Sequence, residues 1–60
     1  MIPIQDQIKC AKRELKLRKQ VYRGWVASGR MKEKDATHEI EAMAAIVGTL
    51  EDLAYGQESN

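Results

Sequence analysis

Four arginines and two aromatic rings are the residues in this chain best suited to chemistry. Arg13, Arg18, Arg23 and Arg30 bracket Tyr22 and Trp25 within the stretch Lys12 to Met31. A guanidinium offers a planar fork of N–H donors that matches phosphate oxygens, and a phenol or indole ring stacks on a base. Such a set could hold a phosphorylated nucleotide. Lys9, Lys12, Lys16 and Lys19 join Arg13 and Arg23 at spacings of three, four and seven, which form a stripe on a helix. The same stripe can also be read as a solvated face that keeps the chain soluble. Tyr22 and Trp25 can equally serve as apolar anchors of a core or an interface. Both readings stand at this point.

Other reactive residues are sparse. Cys10 is the only cysteine and His38 the only histidine. They cannot form a disulfide or a four-ligand zinc site. On two antiparallel helices they would lie far apart, so no Cys–His nucleophile pair is expected. Glu39 and Glu41 are two residues apart and point to different faces of a helix. No glycine-rich phosphate loop is present. The expectation is a non-enzymatic protein with no metal and no cofactor.

These residues lie on two helices. Pro3 suits a helix start, where a missing N–H costs nothing. From there Ile4, Ile8, Ala11, Leu15, Tyr22 and Trp25 mark a heptad seam, with Cys10, Leu17 and Val21 as a flanking apolar stripe. The first helix is expected over about residues 4–28, ending at Ser28 and Gly29, where glycine favours a left-handed cap. Arg18 occupies a seam position. It either lays its stem along the interface with its head in water, steadied by Glu14, or is buried against an acid of the second helix or a ligand anion. Gly24 inside this helix suggests close packing or a kink. The second helix is expected over about residues 33–55, with Glu33 and Asp35 at the positive end of its dipole but no favoured N-cap residue. Its seam is Ala36, Ile40, Met43, Val47, Leu50 and Ala54, widened by Ala44, Ile46 and Leu53. Gly48 is read as a further close-contact site and Gly56 as the stop. Residues 56–60 are expected to be a frayed tail.

The fold class that follows is all-α, one domain over residues 1–60, an antiparallel two-helix hairpin. Both apolar stripes are too wide for one partner helix. A chain of 60 residues buries only about 60% of its unfolded surface and is marginal alone. A homo-oligomer forming a helical bundle is therefore expected, joined through Ile8, Leu15, Tyr22, Ile40, Met43, Val47 and Leu50. The net charge of +1 hides a division. Residues 1–34 carry all ten basic residues against Asp6, Glu14 and Glu33, a balance of +7. Residues 35–60 carry six acids and no base, a balance of −6. That asymmetry implies either an anionic partner or attraction between the two helices. The longest apolar run, Ala42 to Val47, is far short of the ~20 residues of a membrane span. No signal-peptide pattern opens the chain. A cytoplasmic protein is expected. Duplex DNA is disfavoured as a partner, because the pI of 7.9 is mild beside the ~9 typical of DNA binders and no third helix braces a reader.

The pattern R-E-L-x-L-R-x-x-V-Y-x-x-W-V-x-S-G-R-M, Arg13 to Met31, followed by H-E-I-x-x-M-x-A-I, His38 to Ile46, resembles a group of small helical-hairpin proteins of tailed bacteriophages and prophages. The resemblance spans about Gln5 to Leu53. It departs at Lys32, where the group opens its second helix with Thr or Ser. No functional residue is carried over from it. What it implies is a setting: a small accessory protein that counters host defence in the host cytoplasm. By analogy of size and lifestyle, the ligand would be a nucleotide immune signal held at oligomer interfaces by Arg13, Arg18, Arg23 and Arg30, with Tyr22 or Trp25 on the base. The alternatives are an inhibitor that grips a host protein, a nucleic-acid-binding protein, and a structural phage component.

Overall fold

The computed structural model describes residues 1–58, with side chains described for residues 1–56. Two helices, α1 (Ile4–Ala27) and α2 (Glu33–Glu58), make up the fold, and the described residues contain no strand. Lys12 pairs with Glu51 and Arg18 with Glu39, so position rises along α1 as it falls along α2. The hairpin is antiparallel.

Local chemistry sets the ends. The carbonyl of Pro3 accepts hydrogen bonds from the N–H groups of Asp6 and Gln7, both at 3.1 Å, and Asp6 sits at the positive end of the α1 dipole. At the other end Gly29 has φ +80°, a left-handed conformation that favours glycine. Gly29 donates to the carbonyl of Val26 at 3.1 Å and Arg30 donates to that of Trp25 at 2.8 Å, the two bonds of a Schellman cap. The Ser28 hydroxyl also donates to the Trp25 carbonyl, at 3.2 Å. The turn is thus built from the residues expected to break the helix. At the start of α2 the Ala36 N–H donates to the carbonyl of Lys32 at 3.0 Å. Lys32 therefore holds the N-cap position, with a side chain that cannot accept the free N–H groups.

The core is one seam. Ile8 and Ala11 of α1 and Ala36, Met43, Val47 and Ala54 of α2 are buried, and Leu15 and Leu50 pack against the central cluster. Three of those six buried residues are alanine, and among the described residues no side chain is fully buried. Toward the turn the seam steps from Tyr22 to Val26, both half-buried, and Trp25 is left exposed. A straight helix drifts ~20° per heptad against a strict seven-residue repeat. Over three heptads that rotates position 25 off the seam on which the repeat put it.

Two further expectations are corrected. A Cβ at Gly24 or at Gly48 would meet nothing within 4 Å, so neither is a close-contact site in this chain, and α1 runs unbroken past Gly24. Gly56 does not stop α2, which continues to Glu58. The frayed tail expected from residue 56 is helical as far as that, and residues 59 and 60 lie outside the described residues. Ile8, Leu15, Tyr22, Ile40, Met43, Val47 and Leu50, expected to join one chain to another, lie on the seam between the two helices of a single chain, where Ile8, Met43 and Val47 are already buried.

Candidate functional site

Two antiparallel helices leave two open sides, and their residues differ sharply. One side carries the Lys12 Nζ–Glu51 Oε2 ion pair at 3.1 Å and an open groove of about 400 Å³ beside the turn. Lys19, Tyr22, Arg23 and Val26 line that groove from α1, and Glu33 and Thr37 from α2. The other side carries the Arg18–Glu39 contact and a groove in which Cys10 and Glu14 meet Met43 and Leu50. We call these the Lys19 side and the Cys10 side.

The helical repeat extends the Cys10 side along both helices. Leu17 follows Glu14 by three residues, and Val21 follows Leu17 by four and Trp25 follows Val21 by four, one row on α1. Ile46 follows Met43 by three residues, and Leu53 follows Leu50 by three, the matching row on α2. These five side chains remain 40% to 54% exposed. Ala44, expected to widen the same stripe, falls on the Lys19 side by the same geometry. The Cys10 side thus carries exposed apolar side chains on both helices, with Glu14, Arg18 and Glu39 among them. Leu17 and Val21 read in the sequence as a flanking stripe and Ile46 and Leu53 as a widening of the second seam, whereas Trp25 read as a seam residue. Their convergence on one side needed the antiparallel pairing and its register.

Arg18 bridges the two helices on this side, between the α1 row and the α2 row. Its Nε donates to Glu14 Oε1 at 3.0 Å, and its Nη1 donates to the Glu39 carbonyl at 3.4 Å and lies 3.9 Å from Glu39 Oε1. With its side chain 27% exposed, it takes the middle course between the two readings of position 18. The stem follows the seam and the head bridges an acid of its own helix and one of α2. The hydrogen bond to Glu14 raises the Arg18 pKa above its ordinary value, with the charges of Tyr22, Glu14 and Glu39 adding to the effect against a partial desolvation. The guanidinium stays charged wherever the protein is folded.

The expected ligand set does not gather. Arg23 lines the Lys19-side groove and Arg18 a shallow depression on the other side with Leu17, Val21 and Trp25, and Arg13 and Arg30 line neither. Tyr22 alone reaches both, and its ring stacks on Trp25. Comparison with the profiles of known families, with characterised proteins and with solved structures finds no match. Cys10, exposed, lies on α1 about two turns from its start, and His38 lies in the second turn of α2 beside the loop. The hairpin holds them at different levels. Among the described residues no three of His, Cys, Asp or Glu cluster as a metal ion requires, and no helix is long and apolar enough to cross a membrane.

Proposed function

We propose that the chain is a non-enzymatic binding protein that acts as a homo-oligomer, each hairpin forming half of a helical bundle. The observation that carries this reading is the uncovered apolar face formed by Leu17, Val21, Trp25, Ile46 and Leu53. Its size fits. The chain exposes 4905 Å² at 6.8 kDa, whereas a compact monomer of that mass exposes roughly 4,000 Å². The excess is of the order of the ~800 Å² that each partner buries in a standard interface. The radius of gyration of 14.1 Å likewise exceeds the ~10 Å of a globular domain this long.

In the setting that the phage-protein resemblance implies, such a bundle is an accessory protein that counters host defence by binding rather than by catalysis. Its mode of action has two candidates. The Lys19-side groove favours sequestration of a phosphorylated nucleotide, because among the described residues Lys19 and Arg23 have no acidic partner and they stand beside the Tyr22 ring. Inhibition of a host protein is the alternative, with the apolar face as the gripping surface.

Native mass spectrometry and sedimentation equilibrium test the reading together. A defined oligomer is expected, and the Leu17→Gln, Ile46→Gln double variant should dissociate to monomers while remaining helical. A wild-type monomer throughout the micromolar range removes the proposal. Calorimetric titration with cyclic di- and trinucleotides separates the two modes. Heat that disappears in Lys19→Gln, Arg23→Gln selects sequestration, and no heat across the panel shifts the choice to a protein target.

A further inference from the structure

The cations of α1 are gathered on one face of the helix. At about 100° per residue, Lys9, Lys12, Arg13, Lys16, Lys19 and Arg23 fall within an arc of about 120°. The arc starts at the Lys19-side groove and continues round the back of α1. Its other residues are glutamines and an alanine. Asp6 and Glu14, the two acids of α1, lie outside it with the residues of the Cys10 side. Arg18 lies outside it as well, already held by Glu14 and Glu39. All six cations of the arc are exposed. Among the described residues only Lys12 of the six makes an ion pair, with Glu51 at 3.1 Å.

This face works against the helix that carries it. Lys9 and Arg13, Lys12 and Lys16, and Lys19 and Arg23 are each four residues apart, and like charges at that spacing destabilise a helix. Arg13, Lys16, Lys19 and Arg23 have no acid three or four residues away to offset the repulsion. A line of anions along the face removes it.

The dimensions fit a chain of phosphates better than a single one. Lys9 to Arg23 spans roughly 21 Å at 1.5 Å per residue. A strand stacked as in a duplex carries a phosphate about every 3.4 Å, so the face matches about six of them. A mononucleotide or a cyclic dinucleotide meets only part of it. Tyr22 stands at the inner border of the face, in the groove with Lys19 and Arg23, and offers a ring on which a base stacks. A membrane surface fits less well, because the arc holds no large apolar side chain to enter a bilayer. Glu33 and Glu51 fringe the α2 side, which directs a polyanion to the outer side of α1. We propose that this face binds the phosphodiester backbone of a single-stranded nucleic acid, about four to six nucleotides per hairpin. The inference rests on the nucleotide-binding mode proposed above and names its ligand class, a linear strand. The self-association proposed above covers the Cys10 side and leaves this face open.

Fluorescence anisotropy with labelled thymidine oligonucleotides tests it. A hexamer should bind roughly tenfold tighter than a dinucleotide, or more. The logarithm of its association constant should fall with the logarithm of salt concentration at about −0.7 per phosphate held, a slope of roughly −3 to −4 for about five contacts. Lys9→Gln, Arg13→Gln, Lys16→Gln removes three exposed cations that do not line the groove. That variant should weaken hexamer binding and make the slope shallower by about 2, with an unchanged helical circular dichroism spectrum. Lys16→Glu is a single-site variant in case the triple folds poorly, and it should also weaken the hexamer. A dinucleotide or cyclic dinucleotide that binds as tightly as the hexamer, and equally in the triple variant, overturns the extended face and leaves the nucleotide groove standing. Binding of no oligonucleotide and no nucleotide removes both. A duplex that competes as well as the single strand, or phosphatidylserine vesicles that bind where the hexamer does not, overturns the assignment to a single strand.

Discussion

Tyr22 and Trp25 stack with ring centroids 5.5 Å apart and planes inclined by 28°, although only Tyr22 belongs to the seam. The contact ties an exposed indole to the core of the hairpin. It holds Trp25 on the Cys10 side, where in the proposed oligomer the ring would have little rotamer freedom left to lose. The two rings therefore differ in what their loss should do. Tyr22→Ala should cost the hairpin about 1–2 kcal/mol, a fraction of the ~3–5 of a fully buried aromatic. Trp25→Ala should cost the isolated hairpin only the ~0.5–1.5 kcal/mol of the ring pair and should dissociate the oligomer. Sedimentation at matched concentration, beside urea melts, separates the effects. In the wild type, Trp25 emission should shift to shorter wavelength as concentration rises.

A similar contrast holds for aliphatic residues. Met43 is buried between the helices with Ala11 and Val47, and Leu53 is exposed. Met43→Ala should destabilise the hairpin by about 2–3 kcal/mol at any concentration. Leu53→Ala should change the dilute chain by less than ~0.5 kcal/mol and lower the melting midpoint only where the wild type is associated. Thermal melts across a concentration series measure both. Equal losses from the two variants at high dilution would contradict the assignment of Leu53 to an outer face.

The seam and the turn were legible from residue types and spacing. Ala36, Ile40, Met43, Val47, Leu50 and Ala54 recur at steps of four and three, and all six are buried or half-buried. Gly29 caps α1 as its type predicts. Two kinds of feature were not legible. Trp25 fits a heptad on paper, and only the accumulated drift of a straight helix moves it off the seam. Sequence also cannot say whether a cation on one helix reaches an acid on the other. The opposite charges of the halves implied an anionic partner or attraction between the helices, and among the described residues the register joins the helices by ion pairs only at Lys12 with Glu51 and Arg18 with Glu39. The arginines grouped by type as one phosphate site are divided by geometry, because residues five apart, such as Arg13, Arg18 and Arg23, turn through well over a right angle at each step.

The two glycines of α1 and its cap should respond to alanine with opposite signs. Gly24 is interior to the helix and a Cβ there meets open space. Gly24→Ala should stabilise the chain by up to ~1 kcal/mol, the usual helix-propensity difference. Gly29 holds φ +80°, where a Cβ crowds the following carbonyl. Gly29→Ala should cost about 1–2 kcal/mol even though its surroundings are empty. Paired chemical melts decide it. A loss of stability in Gly24→Ala would show that another surface packs closely there.

Lys32 is the weakest point of the turn. Its carbonyl accepts the first bond of α2, from Ala36 N–H at 3.0 Å, so the residue sits where a short oxygen-bearing side chain would satisfy a free N–H of the first turn. A lysine ammonium cannot accept that bond, and it places positive charge at the positive end of the helix dipole. Lys32→Ser should therefore stabilise the hairpin by about 0.5–2 kcal/mol, and Lys32→Asp by at least as much because it also reverses the charge. For a domain this small each kcal/mol raises the thermal midpoint by roughly 4–8 °C. The two variants can be separated by salt. The hydrogen-bond gain of Lys32→Ser should persist at high ionic strength, whereas the extra gain of Lys32→Asp should shrink as the dipole interaction is screened. No rise in midpoint for either variant would mean that the first turn of α2 is satisfied by something other than its N-cap.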